Sequence, residues 1–429
     1  MKLRQKLRIK IGNLVFTSVS TFERLVHGVS LNMFDPTFAR NPYPHFNALR
    51  EKQPIYYSRA FRGWWVTSFD LVQEVLRDNR FGADIRQYEE RMKKILPNLD
   101  EEQLEQFNNP SMLSLDPPDH TRLRKLVSRG FLFKFIQSLE PRIQTIVDDC
   151  LDKVDNENRF DVVDCLAKPL PAVVIAEMMG LPESDHQQFQ DWSEDLIDGT
   201  GTSDPDVAER GQTASNELIK YFKRIIETKR SDFGDDLIGQ LIAAEEAGDR
   251  LSPQELYNTC LLLLVAGHET TTRLIGNGLY LLLQQPKLFQ ALKSDPDLIP
   301  NAIDEMLRFE PPVQATQRFA KQDMEFHGQQ LKRGDIVFVG IAAANRDPAA
   351  NPEAETFDPF REKVNQVSFG YGIHLCIGAT LARLEAKLAF ETLLSRFPDM
   401  SLSDEQAAWG TNPFFRGLHN LNIEPRGSN

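Results

Sequence analysis

The chain has 429 residues, 41% of them hydrophobic and 26% charged, a mix that supports a large buried core and excludes a disordered or fibrous protein. Its net charge of -13 excludes non-specific nucleic-acid binding through a general basic footprint, so any basic patch must be local. Four cysteines (Cys150, Cys165, Cys260 and Cys376) include no C-x-x-C pair; they show no disulfide framework, disfavour a structural zinc site and point to a reducing, cytoplasmic compartment.

At the N-terminus, "MKLRQKLRIKIGNL" puts Leu3, Leu7, Ile11 and Leu14 on one helical face, with Lys2, Arg4, Lys6, Arg8 and Lys10 around them. Residues 1–40 are therefore expected to form a basic amphipathic extension. It would be either a solvated arm or a segment whose residues 1–30 touch an anionic membrane surface. Thr and Ser interrupt the stretch after the basic residues and no A-x-A site comes after them, which disfavours a secretory signal. No Gly/Ser- or Pro-rich linker divides the rest of the chain, so residues 41–429 read as one large domain.

"GWWVTS" (Gly63–Ser68) predicts a strand. Arg142–Val154, Val207–Arg230 and Leu237–Ala247 carry apolar residues at three- and four-residue spacing and predict helices. Cys150, Cys165 and Cys260 fall in such apolar stretches and read as small buried hydrophobes. The longest apolar run, Cys260–Gly267, is far shorter than the roughly 18 residues a membrane-spanning helix requires. Met324–Pro348 reads as short extended runs broken by glycine turns. These elements together predict a fold that is mainly α with a smaller β region.

The clearest helix begins at "SPQEL". Ser252 is a good N-cap, Pro253 suits the first helical position, Glu255 completes a capping box, and Pro286 marks the end. It is apolar nearly all round, which places it in the core. Its middle breaks local rules: Gly267 and the run Glu269, Thr270, Thr271, Thr272 are poor helix chemistry inside a core. Thr270 can bond back to the Ala266 carbonyl and, beside Gly267, make a small polar notch. Equally, Gly267 can mark a close helix crossing and Glu269 can pair with a buried arginine.

Near the C-terminus, "FGYGIHLCIGATLARLE" (Phe369–Glu385) sets Cys376 among Gly370, Gly372 and Gly378 just before a helix. A helix starting near Gly378 would aim free amides at the sulfur and lower the thiol's pKa. The glycines let backbone approach a flat ligand. His374 is only two residues away, a spacing that does not favour a nucleophile–base hydrogen bond in an extended loop. A lone axial thiolate to haem iron fits better.

Phe369 to Gly378 is similar, at every defining position, to the haem-binding signature of the cytochrome P-450 family, and the resemblance extends over roughly Asn41–Pro425. It implies a single large domain with a long central helix over haem b, and Cys376 as the iron ligand. "AGHETT" (Ala266–Thr271) resembles the family's oxygen-activation motif, which implies that Thr270 holds a water or the dioxygen and Glu269 relays protons. "EMLR" resembles the E-x-x-R of the family, with Glu305 and Arg308 joined by Arg361 of "FDPFRE" as a structural brace. His120 and Arg124 in "DPPDHTRLRKL", with Arg318 and His374, match the family's propionate ligands; Phe369, Gly370, Gly378 and Ala266 complete the cofactor contacts.

By the same resemblance, substrate would meet the stretch Phe81–Leu115, Leu262, Leu263, Val313, Gln314 and Phe414. The implied activity is a monooxygenase inserting one oxygen atom from O2 into an apolar molecule (fatty acid, terpene or steroid-like) by hydroxylation or epoxidation. Nothing resembles a flavin or nicotinamide domain, so an external ferredoxin or flavodoxin with its reductase would supply electrons, docking near Arg122, Lys125, Arg129, Arg383 and Lys387. The competing readings are a peroxide-driven peroxygenase, which has no need of the Glu269–Thr270 pair, and a haem-thiolate sensor, for which no output domain is visible.

Overall fold

A computed structural model describes residues 3–88, 108, 110–202, 204–232, 234–246, 251–403 and 407–425. Ala247, the last residue of one expected helix, and residues 89–107 and 109, part of the expected substrate-contact stretch, lie outside the described residues. None of the described helices is long and apolar enough to cross a membrane.

The helices that position the site are Leu3–His27 (α1), Asp119–Val127 (α2), Pro169–Met179 (α3), His186–Gly199 (α4), Pro205–Lys229 (α5), Pro253–Leu283 (α6), Ile299–Phe309 (α7) and Ala379–Arg396 (α8). The central one, α6, starts as its sequence dictates. Ser252 Oγ accepts from the Glu255 N–H at 3.2 Å while Glu255 Oε2 accepts from the Ser252 N–H at 2.9 Å, which satisfies two otherwise orphaned donors. Its core position follows from packing against α3, α4, α5, α7 and α8.

Small residues set how closely those neighbours approach. A Cβ at Gly267 would lie 3.0 Å from the Ile175 side chain of α3, and one at Gly278 would lie 2.5 Å from Met306 Sδ of α7. Gly267 is thus a helix-crossing residue. Cys150 and Cys260 are buried and Cys165 is half-buried, each as a free thiol.

The largest sheet lies outside this helical core. Strands Ile55–Ser58 (β1), Gly63–Val66 (β2), Phe81–Gly82 (β3), Ala315–Ala320 (β4) and Ile336–Gly340 (β5) pair in the order β1-β2-β5-β4-β3, with only β2 and β5 parallel. Every residue of β5 is buried, and its antiparallel register sets Arg318 of β4 opposite Val337. The extended run expected through Pro348 ends sooner: Ile341–Asn345 forms a short, wholly buried helix. Its three alanines favour helix and pack without bulk.

The N-terminal segment is helical from Leu3 and continuous to His27, and its second half is joined to the body. Phe16 packs edge-on against Phe34 and Phe61, both with ring centroids 4.8 Å away. Glu23 is buried and accepts hydrogen bonds from the Ser58 hydroxyl and the Arg59 N–H, while Ser20 donates to the Leu31 carbonyl at 3.3 Å.

Candidate active site

Cys376 sits between a short 3-10 turn, Gly372–His374, and the start of α8. The loop needs glycine where φ is positive: Gly370 and Gly372 have φ of 71° and 69°, and a Cβ on Gly372 would lie 2.5 Å from the Leu76 carbonyl oxygen. The Cys376 N–H closes the loop by donating to the Phe369 carbonyl at 2.8 Å, and Arg383 covers the Phe369 ring at 4.4 Å.

Burial pushes the Cys376 thiol above its ordinary range, and the amides of Gly378 and Ala379 with Arg124 and Arg383 pull the other way without prevailing. The expectation of a lowered pKa from the helix start is therefore corrected, because desolvation of a thiolate outweighs two amides and two nearby guanidiniums. Cys376 itself is exposed, unlike Cys150 and Cys260, so its side chain is open to a ligand. At Gly378 an added Cβ would meet nothing within 4 Å, so backbone also borders open space there.

Four basic side chains converge beside this loop. The His120 and His374 rings lie 4.3 Å apart between centroids, and the Nε2 of each is buried without a hydrogen-bond partner. Burial, then Arg318, His120 and Arg124, push His374 down to about 3. Burial pulls Arg318 down to about 10, with Asp116 opposing. Asp116 is already engaged by the Ala83 N–H at 2.8 Å and by Lys321 at 3.7 Å. Arg124 donates to the Leu375 carbonyl at 2.5 Å. Among the described residues no carboxylate forms an ion pair with any of the four, although buried charge is ordinarily matched. A planar cofactor that carries two carboxylates and needs one soft axial ligand fits this donor set.

Along α6, Leu262, Ala266 and Thr270 remain accessible at four-residue spacing, while Leu263, Leu264, Val265 and Glu269 between them are buried. Thr270 Oγ1 donates to the Ala266 carbonyl at 3.1 Å, as its position predicts. Leu263, expected on the same wall, is instead part of the main core. Glu269 turns into the protein and lies 3.3 Å from both Arg273 and His268 Nε2. Burial would raise its pKa, but His268 and Arg273 hold it below the usual carboxylate range. Arg273 is also 3.4 Å from Asp198 of α4.

The brace expected from the sequence is assembled. Arg308 donates to both Glu305 oxygens at 2.6 and 2.7 Å, with both side chains fully buried, and Arg361 lies 3.3 Å from Glu305. Arg308 also donates to the carbonyls of Asn345, Ala354 and Thr356. Of the expected substrate residues, Val313 is half-buried and bridges to Phe415, and Phe414 packs on Gly201 between α4 and α5. Gln314 is buried and donates to the Pro311 carbonyl at 2.7 Å. Sequence reasoning singled out neither His268, Arg273 nor Asp198; only the four-residue step from Glu269 to Arg273 signalled such a pair.

The cytochrome P450 family model matches residues 83–409. "Polyketide biosynthesis cytochrome P450 PksS" of Bacillus subtilis is 38% identical, covering 91% of this chain and 98% of its own length. "Cytochrome P450 monooxygenase PikC" of Streptomyces venezuelae is 40% identical, covering 93% and 94%. The myxobacterial cytochrome P450 CYP267B1, solved in complex with myristic acid, superposes with a TM-score of 0.85 at 36% identity, covering 92% of this chain and 99% of its own. The chain belongs to the cytochrome P450 family and is a monooxygenase of that family. Haem is the family's cofactor.

Proposed function

We propose that the chain holds haem b with Cys376 as the axial thiolate and inserts one oxygen atom from O2 into an apolar organic molecule. The carrying observation is the convergence of His120, Arg124, Arg318 and His374, without an ion-paired acid, beside the cysteine loop. These four would hold the propionates, and Phe369, Gly370, Gly378 and Ala266 would border the macrocycle. When bound, haem supplies the activation of O2, with thiolate ligation favouring O–O cleavage. Thr270 Oγ1, held on the accessible face of α6, passes a proton toward the reacting oxygen. Glu269, held ionised by His268 and Arg273, would turn from those partners, take up a proton from solvent and pass it to Thr270.

Leu262, Val313 and Phe414 would form the substrate walls, which favours an aliphatic or polycyclic substrate: fatty acid, terpene or steroid-like. Myristic acid in the CYP267B1 structure supports the fatty-acyl choice. Electrons would come from a ferredoxin or flavodoxin with its reductase, meeting the exposed Lys125 and Arg129 near the cysteine loop. Arg122, Arg383 and Lys387 contribute less to that patch, since acids lie beside each of them. The location would be cytoplasmic, with residues 1–30 touching a membrane surface.

The test is the ferrous–CO spectrum. Wild type should show the red-shifted Soret band of a thiolate-bound haem and Cys376→Ser should lose it; retention of that band in the variant sinks the ligand assignment. A low- to high-spin shift with one class among fatty acids, terpenes and steroids then names the substrate.

A further inference from the structure

The docked half of α1 presents two unlike faces. One, carrying Phe16, Ser20 and Glu23, is fixed to the body by ring packing and hydrogen bonds. The other carries Leu14, Val15, Phe22, Leu25 and Val26, all exposed, with Leu14 at 70% and Leu25 at 81%. Their spacing confines them to one stripe of about a third of the helix circumference. Leu3, Leu7 and Ile11 precede them at the same spacing in the sequence. Because Glu23 and Phe16 anchor the opposite face, rolling the helix to hide the stripe would leave a buried carboxylate without its donors. The apolar face therefore points outward by construction.

Charge selects what covers it. The first 22 residues hold five basic side chains and no acidic one, in a chain whose net charge is -13. A basic segment in line with an apolar stripe complements a surface that is apolar below and negative above.

We propose that α1 is a monotopic anchor that lays Leu14, Phe22 and Leu25 into the interface of an anionic lipid bilayer, with Lys2 to Lys10 at the headgroups. This sharpens the proposed peripheral membrane contact of residues 1–30 and does not depend on the haem assignment. Because α1 contacts α5, the anchor would hold the α4–α5 side of the molecule near the bilayer.

The test is co-sedimentation of the full chain with vesicles of phosphatidylcholine alone and with added phosphatidylglycerol, read beside the ferrous–CO spectrum and the sedimentation coefficient. Wild type should bind the anionic vesicles and fail on the neutral ones. Leu14→Ser with Phe22→Ser and Leu25→Ser should abolish binding while the CO band persists. Lys6→Glu with Arg8→Glu, which leaves the stripe intact, should also weaken it, by about fivefold or more per charge removed at low salt. Absence of wild-type binding overturns the proposal, and so does a wild-type dimer that only the serine variant dissociates. A chain that binds vesicles but lacks the thiolate band leaves the anchor standing and removes the haem reading.

Discussion

Two buried clusters of charge lie within the same domain and are built on opposite terms. Around Glu305, Arg308 is matched by a bidentate carboxylate and three carbonyls, and Arg361 joins on the other side. Around His374, four basic groups meet with no acid in ion-pair reach among the described residues, and two imidazole nitrogens are left unpartnered. The first cluster is complete and is scaffold. The second is completed only by something that brings negative charge, and this incompleteness is what distinguishes a binding site from a brace.

The largest expected effect comes from breaking the complete cluster. Arg308→Ala removes the bidentate partner of a fully buried Glu305, leaving Arg361 beside it, and orphans three carbonyls; it should cost about 3–5 kcal/mol in chemical denaturation, or prevent folding. An equally large loss of apo-protein stability from Arg318→Ala would erase the distinction. Arg318→Ala is instead expected to leave the apo protein as stable or more so, and to weaken haem retention roughly tenfold or more, measured by haem transfer to an acceptor protein.

Glu385 of α8 sharpens the comparison from a third side, as a buried acid with no cation in ion-pair reach among the described residues. Both its oxygens lack a well-formed hydrogen bond; burial pushes it up to about 8, and only the Thr271 hydroxyl opposes. Its folded value lies above the unfolded value of about 4.5, so the stability it contributes is fully present below about pH 4.5 and is lost as pH rises through about 8. Glu385→Gln, neutral at every pH, should therefore gain on wild type by a few kcal/mol between pH 6 and 9 in denaturant titrations. Parallel pH profiles would mean that the carboxyl has found a partner.

The smallest change is expected at Thr270. Thr270→Ala removes one hydroxyl from an accessible face, so stability should move by less than about 1 kcal/mol. Product formed per electron consumed should fall severalfold as peroxide is released; unchanged coupling would move the proton relay elsewhere.

Much of this was legible along the chain because the information is local. The capping box at Ser252 and Glu255, the glycines flanking Cys376 and the Thr270 back-bond depend on residues within a turn or two, and the structure repeats them. Leu262 and Leu263 show where that ends: both are leucines in one apolar run, and which of them stays accessible depends on how α6 is rotated against α3 and α8. Arg273 is similar: its step of four from Glu269 is local to α6, but its second partner, Asp198, is reached only because α4 lies alongside. The helical segment Ile341–Asn345 escaped because burial on all sides removes the periodicity from which a helix is read.

The sequence by itself determined the family, the cysteine loop, the identities of the four basic residues and the amphipathic character of the N-terminus, because each is a matter of residue type at short spacing. Tertiary structure decided that Arg308 is sealed and matched while Arg318 and the Nε2 of His374 are buried and unmatched. It also decided that burial outweighs the helix start at Cys376, and that α1 is pinned with its apolar stripe outward. Those outcomes depend on desolvation and on partners far apart in the chain, and neither exists until the chain is packed.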